Sequence, residues 1–271
     1  MPKEAQGEMQ VRRLGWAGLE VSAQGRSLVI DLLEDMSPMA PFVGGAHGPL
    51  PAPSRAGAVA ALLTHLHSDH ADAPAVARVL DVDGVVLRPQ RARGEGLETV
   101  ATLHAESGLA ETGVATRSLD PWETADFEPF TVTAVPAVDG FGDPQVSWVI
   151  EAGSRRIFHG GDTVFHGSWW LIAMRYGPFD AVFLPANGAV CDFPHRQPPS
   201  PFVCSMDPVQ AAAAAGLLNA HTAVPIHYDT IHHPPAYVQA DRPAEAFSEA
   251  AAERGVAARV LEPGELLEWA A

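Results

Sequence analysis

Four side chains that can ligate a metal ion fall within six residues of the stretch Thr64-His65-Leu66-His67-Ser68-Asp69-His70. Imidazole and carboxylate in one set suit zinc, iron or manganese. His65 and His67 stand two apart, so in extended chain their side chains share a face. Asp69 and His70 follow once the chain bends, and reach a second point in space. One turn can therefore serve two metal ions a few Å apart. A lone histidine is more often an ordinary loop residue; three of them with an aspartate, at the end of an apolar run, read as a ligand set. Two later positions repeat this local logic. Asp162 follows an apolar strand and the pair Gly160-Gly161, where glycine allows a sharp bend and close approach to an ion. His227 ends the apolar run Ala223-Val224-Pro225-Ile226.

The elements that must hold these groups can be read from pattern. Ala58 to Leu63 is a short apolar run of the buried-strand type, and Ala71 to Leu80 reads as a helix. Upstream, Val11–Trp16, Leu19–Ala23 and Ser27–Leu32 read as strands separated by turns at Gly15, Gly18 and Gly25. Asp31, at the end of the third, is placed to orient one of the histidines. Downstream, the pattern predicts strands at Gly84–Leu87, Gly113–Leu119, Phe130–Pro136, Gln145–Glu151, Arg156–His159, Asp180–Pro185, Ala223–Ile226 and Val256–Leu261. Helices are predicted within Arg91–Ala105 and over Phe165–Tyr176, Pro208–Ala220 and Pro243–Arg254, the last two capped by Asp207 and Asp241. Trp169-Trp170 reads as core or interface. Residues 37–57, rich in Pro, Gly and Ala, are a loop long enough to act as a lid carrying Met39, Phe42 and His47; a plain surface excursion is the other reading. Residues 186–206 form a second irregular stretch.

Composition bounds the rest. The 271 residues fit one domain, 1–271, without linker or repeat, and 47% hydrophobic content supplies a core. A net charge of −16, without a basic patch, weighs against nucleic acid and anionic membranes. Cys191 and Cys204 lack CxxC spacing and read as free thiols. The first eight residues carry no apolar signal core, and no run approaches a membrane span, so a cytoplasmic protein is expected. The expected partner is a small-molecule substrate, with self-association into a homo-oligomer left open.

Together, Thr64 to His70, Gly160-Gly161-Asp162-Thr163 and Pro225-Ile226-His227-Tyr228 resemble the metallo-β-lactamase superfamily. Gly15-Trp16-Ala17-Gly18, Val29-Ile30-Asp31 and Met206-Asp207-Pro208-Val209-Gln210-Ala211 are similar to its branch of metal-dependent hydrolases related to ascorbate-6-phosphate lactonase and N-acyl-phosphatidylethanolamine phospholipase D. The resemblance implies an α/β (α+β) fold, a four-layer αβ/βα sandwich with metals at one edge. It implies that His65 and His67 hold one cation, that Asp69, His70 and His227 hold another, and that Asp162 bridges them.

The family also expects a histidine after Pro136, but Val135-Pro136-Ala137-Val138-Asp139-Gly140-Phe141-Gly142 contains none, and Asp139 aligns there. Three readings stand: Asp139 is a ligand and tilts the site from zinc toward manganese or iron; the first site is weak and one metal is used; or another histidine such as His159 replaces it, or the site is lost. The implied activity is hydrolysis of an ester, lactone or phosphodiester by water activated between two divalent cations, Zn or Mn with Fe as an alternative, and with Asp69 and Asp162 as catalytic carboxylates. A diiron oxidoreductase and a silent binding protein are the alternatives. His195, Arg196, Tyr228 and His233 are candidate substrate contacts. His232, His233 and His159 are candidate leaving-group acids.

Overall fold

The computed structural model describes residues 8–269; the amino-terminal stretch read for a signal segment lies, except for Glu8, outside the described residues. Three strands open the chain: β1 (Gln10–Gly15), β2 (Gly18–Ala23) and β3 (Arg26–Ile30). A one-turn helix, α1 (Ala40–Val43), breaks the long loop before β4 (Ala58–Leu62). After the metal-type motif come α2 (Ala73–Val79), β5 (Leu80–Arg88), α3 (Val100–Thr112), β6 (Ala115–Ser118), β7 (Thr124–Phe127), β8 (Phe130–Pro136), β9 (Val146–Ala152) and β10 (Arg155–His159). Then follow α4 (Trp169–Tyr176), β11 (Phe179–Pro185), β12 (Val190–Cys191), α5 (Pro208–Leu217), β13 (Ala220–Ile226), β14 (Tyr237–Val238), α6 (Pro243–Glu253) and β15 (Ala257–Ala258).

Two mixed sheets carry the fold, ordered β1-β2-β3-β4-β5-β6 and β15-β13-β11-β10-β9-β8-β7, with β12 and β14 as a separate ribbon. Their side chains alternate between two environments, as the two-residue period of a strand dictates. In β3, Leu28 and Ile30 join the central core while Val29 faces the helices; in β11, Ala181 and Phe183 face the centre while Val182 and Leu184 face outward. The outward cluster of the first sheet takes Val76 of α2 and Leu109 of α3; that of the second takes Ile172 of α4, Ala211 of α5 and Phe247 of α6. Three apolar seams thus bind four layers, helix–sheet–sheet–helix, and the metallo-β-lactamase sandwich expected from the sequence is the fold observed.

Boundaries moved where local chemistry overrode pattern. The helix expected within 91–105 begins at Val100, since Gly94 and Gly96 break the earlier stretch, and Gly113 closes it in the left-handed region at φ 70° instead of opening a strand. The helix expected from Phe165 begins at Trp169, whose ring is fully buried while Trp170 is exposed. Asp207 caps α5 as read, accepting from the Gln210 amide at 2.8 Å. Asp241 does not cap α6: Arg242 occupies the cap position, without a side-chain hydrogen bond. Only Ala257–Ala258 of the expected final strand pairs, and β7, β12 and β14 were not expected.

The directions of the strands place the site. Within the first sheet β1, β3 and β4 run one way, and within the second β8, β10 and β13 do so. Trp16, Asp31, the 64–70 turn, Asp139, Asp162 and His227 all follow the carboxyl ends of these strands. In open α/β sheets that is where ligands bind.

Candidate metal centre

The turn after β4 is anchored by Asp31. Its carboxylate accepts the Thr64 amide at 2.8 Å, the Thr64 hydroxyl at 2.7 Å and His70 Nδ1 at 2.8 Å. Because the Thr64 hydroxyl gives its proton to Asp31, it accepts from His65 Nδ1, 3.1 Å away. Both histidines therefore turn Nε2 inward. Against the pull of burial, Asp69 and Asp31 raise His70 well above its ordinary value, so that a cation would displace its Nε2 proton. His67 is held from the other side: Nε2 lies 3.0 Å from Asp143 Oδ2, leaving Nδ1 4.0 Å from Asp139 Oδ1. A carboxylate on the outer nitrogen of an imidazole fixes tautomer and ring orientation, as around bound metals.

The later strands bring the remaining groups. Asp139 Oδ2 accepts the Phe141 and Asp143 amides at 2.8 and 2.9 Å, so Oδ1 alone points inward. Gly140 must be glycine, because a Cβ there would stand 2.1 Å from the Cys204 carbonyl oxygen. Asp162 Oδ1 accepts from Gln145 Nε2 at 2.8 Å, and Asp69 Oδ2 accepts from Trp16 Nε1 at 3.0 Å. Gly161, at φ +66°, lets the Asp162 turn pass Thr64, whose hydroxyl would meet a Cβ at 2.7 Å. His227 is held by its backbone, donating to the Trp16 carbonyl at 2.8 Å, with the Trp16 ring centroid 3.8 Å from its own. Trp16, Asp31 and His227 have φ of 44°, 43° and 59°, a region that costs non-glycine residues about 1–3 kcal/mol each. Strain concentrated at three strand tips around one point marks a site whose geometry is imposed by its surroundings.

The candidate ligand atoms of His65, His67, Asp139 and Asp162 lie within 4.8 Å of one another; so do those of His70, Asp162 and His227, and those of His65, Asp69 and His70. His65 Nε2, His70 Nε2, both ring nitrogens of His227 and Asp139 Oδ1 are buried without a hydrogen-bond partner. An unmade hydrogen bond at a buried group costs about 1–3 kcal/mol. Convergent orphans of lone-pair type fit a site for cations, and the donor set fits zinc, manganese or iron.

Proton energetics agree. Burial would lower His67, but Asp139, Asp143, Asp162 and Asp69 raise it to about 9. Burial raises Asp162 to about 7, against the pull of His70 and with the help of Asp139 and Asp69. Burial lowers His227 to about 4 and holds His65 well below its usual value, His70 and His67 adding to the latter effect. In the cation-free chain the cluster thus retains protons that cations would displace.

Above the cluster opens a cavity of about 590 Å³, floored by His67, Asp69 and Asp162. The lid expected from residues 37–57 contributes Met39, Phe42 and Val43, while His47 lies outside it, exposed. From residues 186–206 come Phe193, His195 and Arg196. His195 and Arg196 therefore reach the cavity as expected. Two other expected contacts do not. The Tyr228 hydroxyl is buried against Arg13 Nη1 at 2.9 Å, and His233 is exposed behind Gly44. His159 is not available as a replacement ligand or acid. It accepts from the Gly161 amide at 3.2 Å and donates Nε2–H to the Ala17 carbonyl at 2.8 Å. His232 is exposed away from the cavity; His104 and His195 are the wall histidines instead.

Asp143 and Gln145 escaped the sequence reading. The signal was an acid and an amide in the same turn-rich stretch as Asp139, Gly140-Phe141-Gly142-Asp143-Pro144-Gln145. Arg196 was read as a substrate contact, but its Nη2 donates to Asp143 at 3.0 Å, so it backs the His67 support. Cys191 and Cys204 are free thiols, their sulfurs 3.3 Å apart.

Comparison with known proteins agrees with this fold. The family model described as "Beta-lactamase superfamily domain" matches residues 26–228. A "UPF0173 metal-dependent hydrolase" from Thermococcus onnurineus is 28% identical over 268 residues, spanning 96% of this chain and 99% of its own. Among solved structures, the metallo hydrolase Igni18 from Ignicoccus hospitalis superposes with a TM-score of 0.65 at 20% identity, over 97% of this chain and 99% of that one. CmlA, a diiron β-hydroxylase from Streptomyces venezuelae, gives 0.71 at 17% identity, over 98% of this chain but 55% of that one. At such identities the likeness is one of fold.

Proposed function

Starting from the chain's membership of the beta-lactamase superfamily domain family, as a metal-dependent hydrolase of the metallo-β-lactamase fold, we propose that it cleaves an ester, lactone or phosphodiester bond of a small molecule at a dinuclear centre. His65, His67 and Asp139 would hold one divalent cation, Asp69, His70 and His227 the other, and Asp162, which belongs to both sets of converging atoms, would bridge them. The observation that carries the reading is the convergence of buried, unpartnered imidazole and carboxylate atoms beneath an open cavity. Bound zinc or manganese supplies two things here, a lowered pKa for water and positive charge for an oxygen that becomes negative as the bond breaks.

The protein's own groups do the rest. Trp16 steadies Asp69 by donating to Oδ2, the oxygen 3.4 Å from His70 Nε2 and 3.6 Å from His227 Nε2, while Gln145 donates to Asp162 Oδ1 and leaves Oδ2 toward His70 and His227. Asp31 and Asp143 keep His70 and His67 in single tautomers. The apolar walls exclude bulk water and so strengthen every charge interaction inside. His104 and His195 line the cavity and would be the imidazoles available to protonate a leaving group. The test is reconstitution: the chelated protein should lack hydrolase activity and regain it with zinc or manganese. Failure to regain turnover on any ester, lactone or phosphodiester would contradict the proposal.

One observation favours a second reading. Asp139 makes the first set richer in oxygen, which suits iron. A diiron oxidoreductase would need iron and oxygen-dependent turnover; full activity with zinc or manganese under anaerobic conditions removes it.

A further inference from the structure

We infer that the substrate carries an uncharged, apolar body beside the bond that is cleaved. This rests on the hydrolase reading above and narrows it. The walls over the cluster are apolar on three sides. Met39, Phe42 and Val43 come from the lid, Val100 from α3, and Phe141 and Phe193 from the loops after β8 and β12. At about 590 Å³ the cavity lies within the range of small-molecule sites.

Away from the cations that the cavity floor would hold, Arg196 is the one Lys or Arg that the described residues bring to the walls. Its two terminal nitrogens each make one contact, and its Nε is buried. Nη2 donates to Asp143 at 3.0 Å, and Nη1 reaches the Leu97 carbonyl at 3.4 Å. Asp143 in turn holds His67, so freeing Arg196 for a phosphate would loosen a candidate ligand. A charged group on the part of the substrate that meets Phe, Val and Met would thus be desolvated without a partner, which is strongly unfavourable. Each apolar methylene placed there gains about 0.8 kcal/mol, about fourfold in binding.

The experiment compares the 4-nitrophenyl esters of acetate, butanoate, hexanoate and octanoate with the hemisuccinate ester, on protein reconstituted with manganese. The expected result is a rise in kcat/KM of about threefold to fourfold per methylene. The hemisuccinate should fall well below butanoate. In parallel, calorimetry follows binding of the uncleaved N-methylamides of the same acids. Their affinity should climb with chain length in wild type and level off in Phe42→Asp and Val100→Asp. Both positions are partly exposed, at 52% and 38%, so the fold should survive, which an unchanged melting temperature verifies. Turnover without chain-length dependence, a hemisuccinate equal to butanoate, or amide binding indifferent to length would overturn the inference while leaving the hydrolase reading in place. Length-dependent amide binding without turnover of any ester would uphold the apolar cavity and sink the hydrolase reading instead.

Discussion

Asp139 stands where the resemblance leads one to expect a histidine, and its environment would suit a carboxylate ligand. Two backbone amides fix Oδ2 and leave Oδ1 facing His67. Asp139→Ala should lower metal affinity by at least about tenfold, the lower bound for losing even an outer-shell partner, whereas Asp139→His should keep the metal. Equilibrium dialysis separates the two, and unchanged occupancy in both variants would remove Asp139 from the ligand set. Protonation gives a second test at this scale. In the folded, cation-free protein, His67 keeps its proton up to about 9 and Asp162 up to about 7, against ordinary values of 6.5 and 3.8. The folded state thus binds more protons than the unfolded one. The stability that His67 contributes is full below pH 6.5 and is lost as pH rises through about 9; ionisation of Asp162 near 7 costs further stability. The chelated protein should therefore melt at lower temperature as pH climbs from 6.5 to 9. Over the same interval metal affinity should strengthen, since cations displace those protons. Flat profiles in calorimetry and metal titration would contradict both expectations.

At the scale of elements, the site is a set of strand tips tied together by short polar links. Asp31 ties the end of β3 to the turn after β4, with three hydrogen bonds to Thr64 and His70. Asp31→Ala would leave buried donors unmade at about 1–3 kcal/mol each, so a loss of several kcal/mol in urea unfolding is expected, along with weaker metal binding. Gly140→Ala would drive a Cβ into the Cys204 carbonyl. It should displace the Asp139 turn and reduce metal occupancy while β8 and β9 remain paired. Much of this was legible in the sequence, because an apolar run followed by a ligand recurs: Leu63 before His65, Phe158 and two glycines before Asp162, Ile226 before His227. Asp31 was readable as a support for the same reason. What could not be read were contacts between distant loops. Asp143 meets His67 across 76 residues and Arg196 meets Asp143 across 53, and no local spacing encodes either. Tyr228 and His233 misled because adjacency to a ligand says nothing of side-chain direction; the positive φ of His227 turns the chain just there.

Over the whole molecule, the cluster is where the two halves of the sandwich meet. His65, His67, Asp69 and His70 belong to the first sheet, while Asp139, Asp162 and His227 follow strands of the second. Cations held between them would tie the sheets together and bind the folded chain in preference to the unfolded one. At a free metal concentration of about a thousand times Kd, that linkage adds about 4 kcal/mol. A chelator should therefore lower the melting temperature by several degrees. The four-layer architecture itself was reached from the sequence through family resemblance, since strands and helices alternating along a chain fit several folds. The direct measurement is the metal content of the purified, reconstituted protein, set beside that of His65→Ala and His227→Ala. Two equivalents of zinc or manganese per chain in the wild type, with loss of metal and of hydrolysis in both variants, is the expected result. A wild-type chain that folds, binds no stoichiometric metal and melts at the same temperature with chelator would contradict it.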